Sequence, residues 1–320
     1  MTTIKRAYLY IKKYPRHYLN YFLFGLGFTV LGYYNRNSNN EILRLGIAGS
    51  IAQISTELVF HPIDVINTNT KADLLGNVNA YYTTKKIYQR DGFFGFWRGA
   101  SATYYASLIG GMIYFTTYKY LKNHLLSTEN TLNSFAYLIS SISGEMIFLV
   151  FYYPFDLIRT RMQTRRVEFD YKGVLDAWRK ILKGSFFNFR YYKKLYVGAG
   201  PSFVLNVVNQ SLMFTVLETM REYYMKKRGY KSVNQLDNFD YLLCSVIAGV
   251  VSGGVTNILE VITIHKQLKG SNFHLIDFIK NNGINALTSG IFARISINTA
   301  HCVMLFYVVD CISKIFNVEL

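Results

Sequence analysis

Three acidic residues stand where chemistry could follow. Asp64, Asp156 and Glu260 each lie near the end of a largely apolar stretch: 48–69 (AGSIAQISTELVFHPIDVINTN), 147–163 (IFLVFYYPFDLIRTRMQ) and 247–267 (IAGVVSGGVTNILEVITIHKQ). A carboxylate in apolar surroundings is costly unless a cation or hydrogen-bond donors meet it. In the second stretch Pro154 precedes Asp156 by two residues and Arg159 follows it by three. Proline inside a helix removes a backbone donor and bends the chain, which turns an acid and a base at this spacing inward. The chemistry on offer is electrostatic, an acid and a base turned to the same side of a bent helix. Bond-making chemistry lacks such support. The six histidines (His17, His61, His124, His265, His274, His301) form no H-x-x-x-H pair and are expected to be structural. Cys244, Cys302 and Cys311 give neither a disulfide framework nor a metal spacing. No nucleophile–base or metal constellation supports an enzyme.

The elements that carry these acids are membrane helices. Of 320 residues, 51% are hydrophobic and 17% charged, against about 25% charged in soluble domains. This composition excludes disorder, collagen and a simple coiled coil, and argues against a water-soluble enzyme. The net charge of +16 would suggest nucleic acid in a soluble protein. Here the basic residues sit between apolar segments, where they face anionic headgroups or set topology, so no nucleic-acid partner is expected.

The acids belong to an internal repeat. Asp156 follows Asp64 by 92 residues and Glu260 follows Asp156 by 104. Downstream, DGFFGFWRG closes at Gly99, KKLYVG at Gly198 and NGINALTSG at Gly290. Twenty residues after each closing glycine come Lys119, Glu218 and Asp310, each with a phenylalanine four positions earlier. Each block therefore holds an apolar helix, a short amphipathic helix and a second apolar helix, with 172–182 and 276–283 as candidates for the short one. The expected fold is an all-α membrane protein with six transmembrane helices in three pseudo-threefold repeats, 41–130, 131–235 and 236–320. Residues 1–40 form a basic extension with an apolar run at 19–34. No A-x-A site follows that run, so an element lying on or in the membrane is expected in preference to a cleavable signal; as a helix it would measure about 24 Å, slightly short of a core of roughly 30 Å.

Pro154, Asp156, Arg159 and Arg161 match P-x-[DE]-x-x-[KR]-x-[RQ]. With the three repeats in register, residues 41–320 resemble the mitochondrial carrier family. The resemblance implies a multi-pass protein of the mitochondrial inner membrane, with short matrix-side helices. It also implies a matrix-side ring of acids and bases that pairs neighbouring helices, and a second ring on the opposite side. Each pair is worth roughly 1–4 kcal/mol, so several are needed to hold a gate.

Departures from the pattern are marked. Pro62 and Asp64 are present in the first block, but Asn67 takes the basic position; Ile258 and Thr263 flank Glu260 in the third. On the implied pairing, Asp64–Arg159 is the one matrix-side pair left, and Asp156 and Glu260 are expected to be unpartnered. The implied opposite ring holds Lys119 and Lys122, Glu218 and Arg221, and Asp310 with Ser313 in place of a base. Its surviving pair is Lys122–Asp310 in one sense, or Lys122–Glu218 and Arg221–Asp310 in the other. The implied substrate contact positions, Ala106, Leu205 with Asn206, and Ile297 with Asn298, carry no charge. Arg294 either faces the cavity or sits near headgroups. Small-residue pairs on the odd helices read Gly49/Gln53, Ser141/Glu145 and Ser245/Gly249. Glu145, an intramembrane acid, has two readings, a functional site or a hydrogen bond to a neighbouring helix or partner. Trp97-Arg98-Gly99 matches the implied cardiolipin motif, while Gly198 and Gly290 keep only its glycine; bound cardiolipin or another anionic phospholipid is expected. Nine Lys/Arg against three acids in 164–194 suit a matrix-facing loop.

Two functions fit. The incomplete rings, uncharged contact positions, disturbed small-residue pairs and added N-terminal segment favour a transport-impaired accessory subunit of a large respiratory-chain assembly, with other subunits as partners. The alternative is an active carrier exchanging a small, neutral metabolite.

Overall fold

The computed structural model describes residues 41–73, 79–126, 133–164, 167–183, 189–230 and 236–316, and among them there is no strand. The extension 1–40, including the apolar run 19–34, lies outside the described residues. In chain order the helices are α1 (Glu41–Ala72), α2 (Ala80–Asp91), α3 (Ala100–Leu126), α4 (Asn133–Thr164), α5 (Val174–Ile181), α6 (Phe189–Tyr192), α7 (Ala199–Arg228), α8 (Asn238–Lys269), α9 (Leu275–Asn282) and α10 (Ile291–Phe316). Six of them are long. The segment Ile42–Ala72 of α1 and the whole of α8 are long and apolar enough to cross a membrane.

Each block repeats one plan: a long helix, a short helix, a 3-10 turn and a second long helix. The short helices α5 and α9 coincide with the expected amphipathic segments. In α5, Val174, Ala177 and Ile181 form the buried stripe, at the spacing of one helix face. They pack with Ala102 and Ile158 from α3 and α4. The chain enters each second long helix through Gly99, Gly198 or Gly290, at φ of +82°, +86° and +70°. Only glycine adopts this left-handed geometry without strain.

The long helices pack α1 on α3, α3 on α4, α7 on α8, α8 on α10, and α10 back on α1. Phe203 of α7 joins α4 at the cluster of Phe148, Leu149 and Tyr152. Pro62 and Pro154 sit inside unbroken helices. Pro154 cannot donate to the carbonyl of Val150 one turn earlier. That carbonyl instead accepts the Tyr196 hydroxyl at 2.7 Å, so the freed acceptor is satisfied from the neighbouring turn.

Close helix approach survives despite the changed small-residue pairs. Gly49 leaves room for the Phe115 ring, and Gly249 lies against the backbone of Thr299 on α10. A methyl group on Gly111 would fall 2.7 Å from Ser50 Cα and 2.9 Å from the Gly49 carbonyl. These obstacles are backbone, so the helices themselves would have to part. Gly111→Ala should therefore destabilise the bundle by about 1–3 kcal/mol, read as a lower thermal midpoint of the detergent-purified protein, whereas Gly173→Ala, where nothing lies within 4 Å, should leave that midpoint in place.

Candidate functional site

The three acids converge at one end of the bundle, and the first, third and fifth long helices (α1, α4, α8) are tied there in a circuit. Between α1 and α4, Gln163 donates to Asp64 at 2.8 Å and the Arg159 guanidinium stands 3.8 Å from the same carboxylate. Between α4 and α8, Gln267 donates to Asp156 at 2.9 Å. Between α8 and α1, Lys71 pairs with Glu260 and Asn67 donates to it at 3.1 Å. Arg294 of α10 adds a further contact to Glu260 at 3.2 Å.

The circuit obeys threefold positions. Lys71, Gln163 and Gln267 each stand seven residues after the acid of their own helix. Each reaches the acid of the preceding helix in the ring. In a second layer the side chain five residues after each acid reaches the backbone carbonyl of the acid-plus-seven residue on the following helix. Asn69 donates to the Gln163 carbonyl (3.1 Å) and Arg161 to the Gln267 carbonyl (3.2 Å). A ring nitrogen of His265 bonds the Lys71 carbonyl (2.8 Å). Helix periodicity returns the seventh residue to the acid's own face two turns on, while the fifth is turned toward the flank of the helix, where a neighbouring backbone lies within reach.

This geometry corrects the expectation that Asp156 and Glu260 lack partners. Asp156 accepts from Arg159 of its own helix at 2.6 Å as well as from Gln267. Glu260 holds two cations and an amide. The base absent at Asn67 has moved one turn on, to Lys71, whose side chain is wholly buried (0% exposed). The base absent at Thr263 is replaced by the amide of Gln267. The expected Asp64–Arg159 pair is present, and Arg159 also meets Glu57 at 3.4 Å. Arg294 belongs to the ring rather than to headgroups. Sequence reasoning passed over Lys71, Gln163 and Gln267, although the acid-plus-seven spacing was there to be read.

Elsewhere the expected residues are placed as follows. Glu218 and Arg221 pair with each other within α7 at 2.8 Å, and the Arg221 guanidinium covers the Tyr241 ring of α8 at 4.8 Å. Lys119 lies on α3; the side chains of Lys122 and Asp310 lie outside the described residues. Ala106 packs with Phe148, Leu149 and Tyr152. Leu205 and Ile297 are buried and Asn206 is half-buried. Beside them runs an uncharged network across α7, α8 and α10. Asn209 donates to Asn298 at 3.2 Å, Thr256 to Asn209 at 3.1 Å and Asn298 to Ser252 at 2.7 Å. Glu145 is half-buried and shares the α4 face of Asp156, eleven residues or three turns on. Trp97 stacks against His61 and Arg98 reaches Asp91 at 3.6 Å. Beyond the acid ring a cavity of about 410 Å³ opens among Asn69, Asp73, Lys86, Arg90, Lys269 and Asn282. No group of three or more His, Cys, Asp or Glu among the described residues is arranged to hold a metal.

The family model for the mitochondrial carrier protein matches residues 38–129 and 130–228, two of the three blocks. The chain belongs to the mitochondrial carrier family. The third block of this carrier lies outside the match, yet it carries Glu260, Gln267 and Gly290 in the same geometry as the other two. Relatives are distant. The carrier is 28% identical over 245 residues to a chloroplastic nicotinamide adenine dinucleotide transporter 1 of Arabidopsis thaliana, covering 73% of this chain and 76% of that protein. It is 23% identical over 338 residues to mitochondrial substrate carrier family protein H of Dictyostelium discoideum, covering 87% and 91%. To the mitochondrial glycine transporter of Xenopus tropicalis it is 22% identical over 270 residues, covering 78% and 83%.

Lys71→Gln makes the first repeat of the carrier like the other two and removes a buried cation from Glu260. A hydrogen bond to a charged group is worth about 1.5–3 kcal/mol, so the thermal midpoint should fall by that measure. Adding Asn67→Lys restores the base to the position used by Arg159 and should recover most of the loss; a double variant no better than the single one would mean that Lys71 acts by packing alone.

Proposed function

We propose that this chain is a working solute carrier of the mitochondrial inner membrane, its six long helices each crossing the bilayer. The closed ring around Asp64, Asp156 and Glu260 is the observation that carries this reading. A scaffold has no need of a buried polar circuit on the bundle axis, because an apolar contact of the same size is as stable or more so. A gate does need one, since paired groups can separate into water when it opens. The relatives' names as transporters point the same way. Of the observations behind the accessory-subunit reading, the incomplete matrix-side ring no longer supports it, because Asp156 and Glu260 have partners.

The substrate class follows from the contact positions. Ala106, Leu205, Asn206 and Ile297 bring no cation, and Arg159 and Arg294 are committed to carboxylates. Anionic metabolites require an Arg or Lys clamp. The carrier is therefore assigned small solutes without net negative charge, held by the amides and hydroxyls around Asn206, Asn209 and Asn298. Anionic phospholipid such as cardiolipin would sit at the turn of Trp97, Arg98 and Gly99, with weaker counterparts at Gly198 and Gly290.

Purified full-length protein in cardiolipin-containing liposomes should exchange labelled glycine and should leave succinate and ATP outside. Exchange of the anions alone would refute the substrate class while keeping the carrier. Failure to exchange any of the three, together with co-migration in a many-subunit complex in mild detergent, would restore the accessory-subunit reading.

A further inference from the structure

A third set of threefold contacts lies one turn before the acids. His61, Tyr153 and Asn257 each precede the acid of their helix by three residues. A ring nitrogen of His61 bonds the Arg98 carbonyl at 2.9 Å. The Tyr153 hydroxyl donates to the Val197 carbonyl at 2.5 Å. The Asn257 amide donates to the Leu287 and Ser289 carbonyls at 3.0 and 3.3 Å. Arg98, Val197 and Ser289 are the residues directly before Gly99, Gly198 and Gly290. An imidazole, a phenol and a carboxamide thus make one contact in three repeats.

What the contact holds in place is the elbow glycine, and each elbow abuts the next helix of the ring. A methyl group on Gly99 would lie 3.3 Å from Gln163 Cγ, one on Gly198 3.3 Å from Gln267 Cγ, and one on Gly290 3.2 Å from Lys71 Cγ. Those three side chains are the ones that reach the acids. The order repeats without exception: latch, elbow glycine, acid-plus-seven side chain of the next helix, carboxylate of the latch's own helix.

We propose that His61, Tyr153 and Asn257 are positioning residues of the gate. Each fixes its elbow glycine so that the acid-plus-seven residue of the next helix is presented to the carboxylate. The inference rests on reading the ring as a gate, as above. It makes the ring cooperative: loosening one elbow frees one brace, and the neighbouring joint opens with it. Three unlike side chains serve because a carbonyl asks only for a donor at the right distance.

The test uses the third repeat, where Asn257 governs Lys71 on Glu260. In a full-length protein without its three native cysteines, spin labels at Ala72→Cys and Lys269→Cys report the separation of the ends of α1 and α8 in liposomes. The parent should give one short distance. Asn257→Leu, close in size but without a donor, should add a second, longer population. Asn257→His, which supplies the donor used in the first repeat, should return the distribution to the short form. An Asn257→Leu protein with the parent's distribution would overturn the proposal, even if its thermal midpoint fell, because burial alone would then explain the residue. The readout needs no substrate, so an intact distance response without solute exchange would sink the carrier reading and leave the latch standing.

Discussion

A carboxylate placed inside a helical bundle has to be met by donors, and three of them on one axis impose that demand on the whole molecule. Taking an ion out of water costs several kcal/mol even after relaxation. Asp64, Asp156 and Glu260 can therefore be tolerated only if α1, α4 and α8 approach closely enough to supply each other's partners. The glycine elbows, the short helices and the close approach at Gly111 and Gly249 all serve that proximity. The packing of this end follows from its electrostatics.

The same demand explains how the chain departs from its family's pattern without losing the ring. What a buried acid needs is donors within reach, not a base at one fixed position. In the first repeat the cation has slipped one turn, from the site of Asn67 to Lys71. In the third, Thr263 donates to its own helix at Leu259, and Gln267 takes over the joint with Asp156. Arg294 enters from an even helix. The α4–α8 joint meets its carboxylate across the helices with a neutral amide, and the α1–α4 joint adds an amide to the Arg159 pair; an amide costs less to desolvate than a cation. A ring built this way is held by many moderate contacts rather than by a few strong ones, which suits a structure that must open.

Much was legible in the chain itself. The spacing of acids and closing glycines predicted the repeats, and α5 and α9 lie where amphipathic periodicity put them. The acids, Arg159 and the elbow glycines were also found. Partner assignment failed where it relied on one motif position per repeat. Asn67 looked like a lost base because the residue that replaces it lies a full turn away. Arg294 had two readings because nothing local says which side of α10 faces Glu260. His61, Tyr153 and Asn257 carried no common residue type, so no pattern search would group them.

The sequence by itself determined the helices, their threefold order and where the charges sit along each one. Those depend on local periodicity, on glycine's freedom at positive φ and on the apolar content of each stretch, all properties of neighbouring residues. Only the tertiary structure decided which donor meets which acid. That choice joins residues up to 193 positions apart, as Asn67 and Glu260 are. It turns on the depth and rotation of one helix against another, and a one-turn change in either reassigns every partner in the ring.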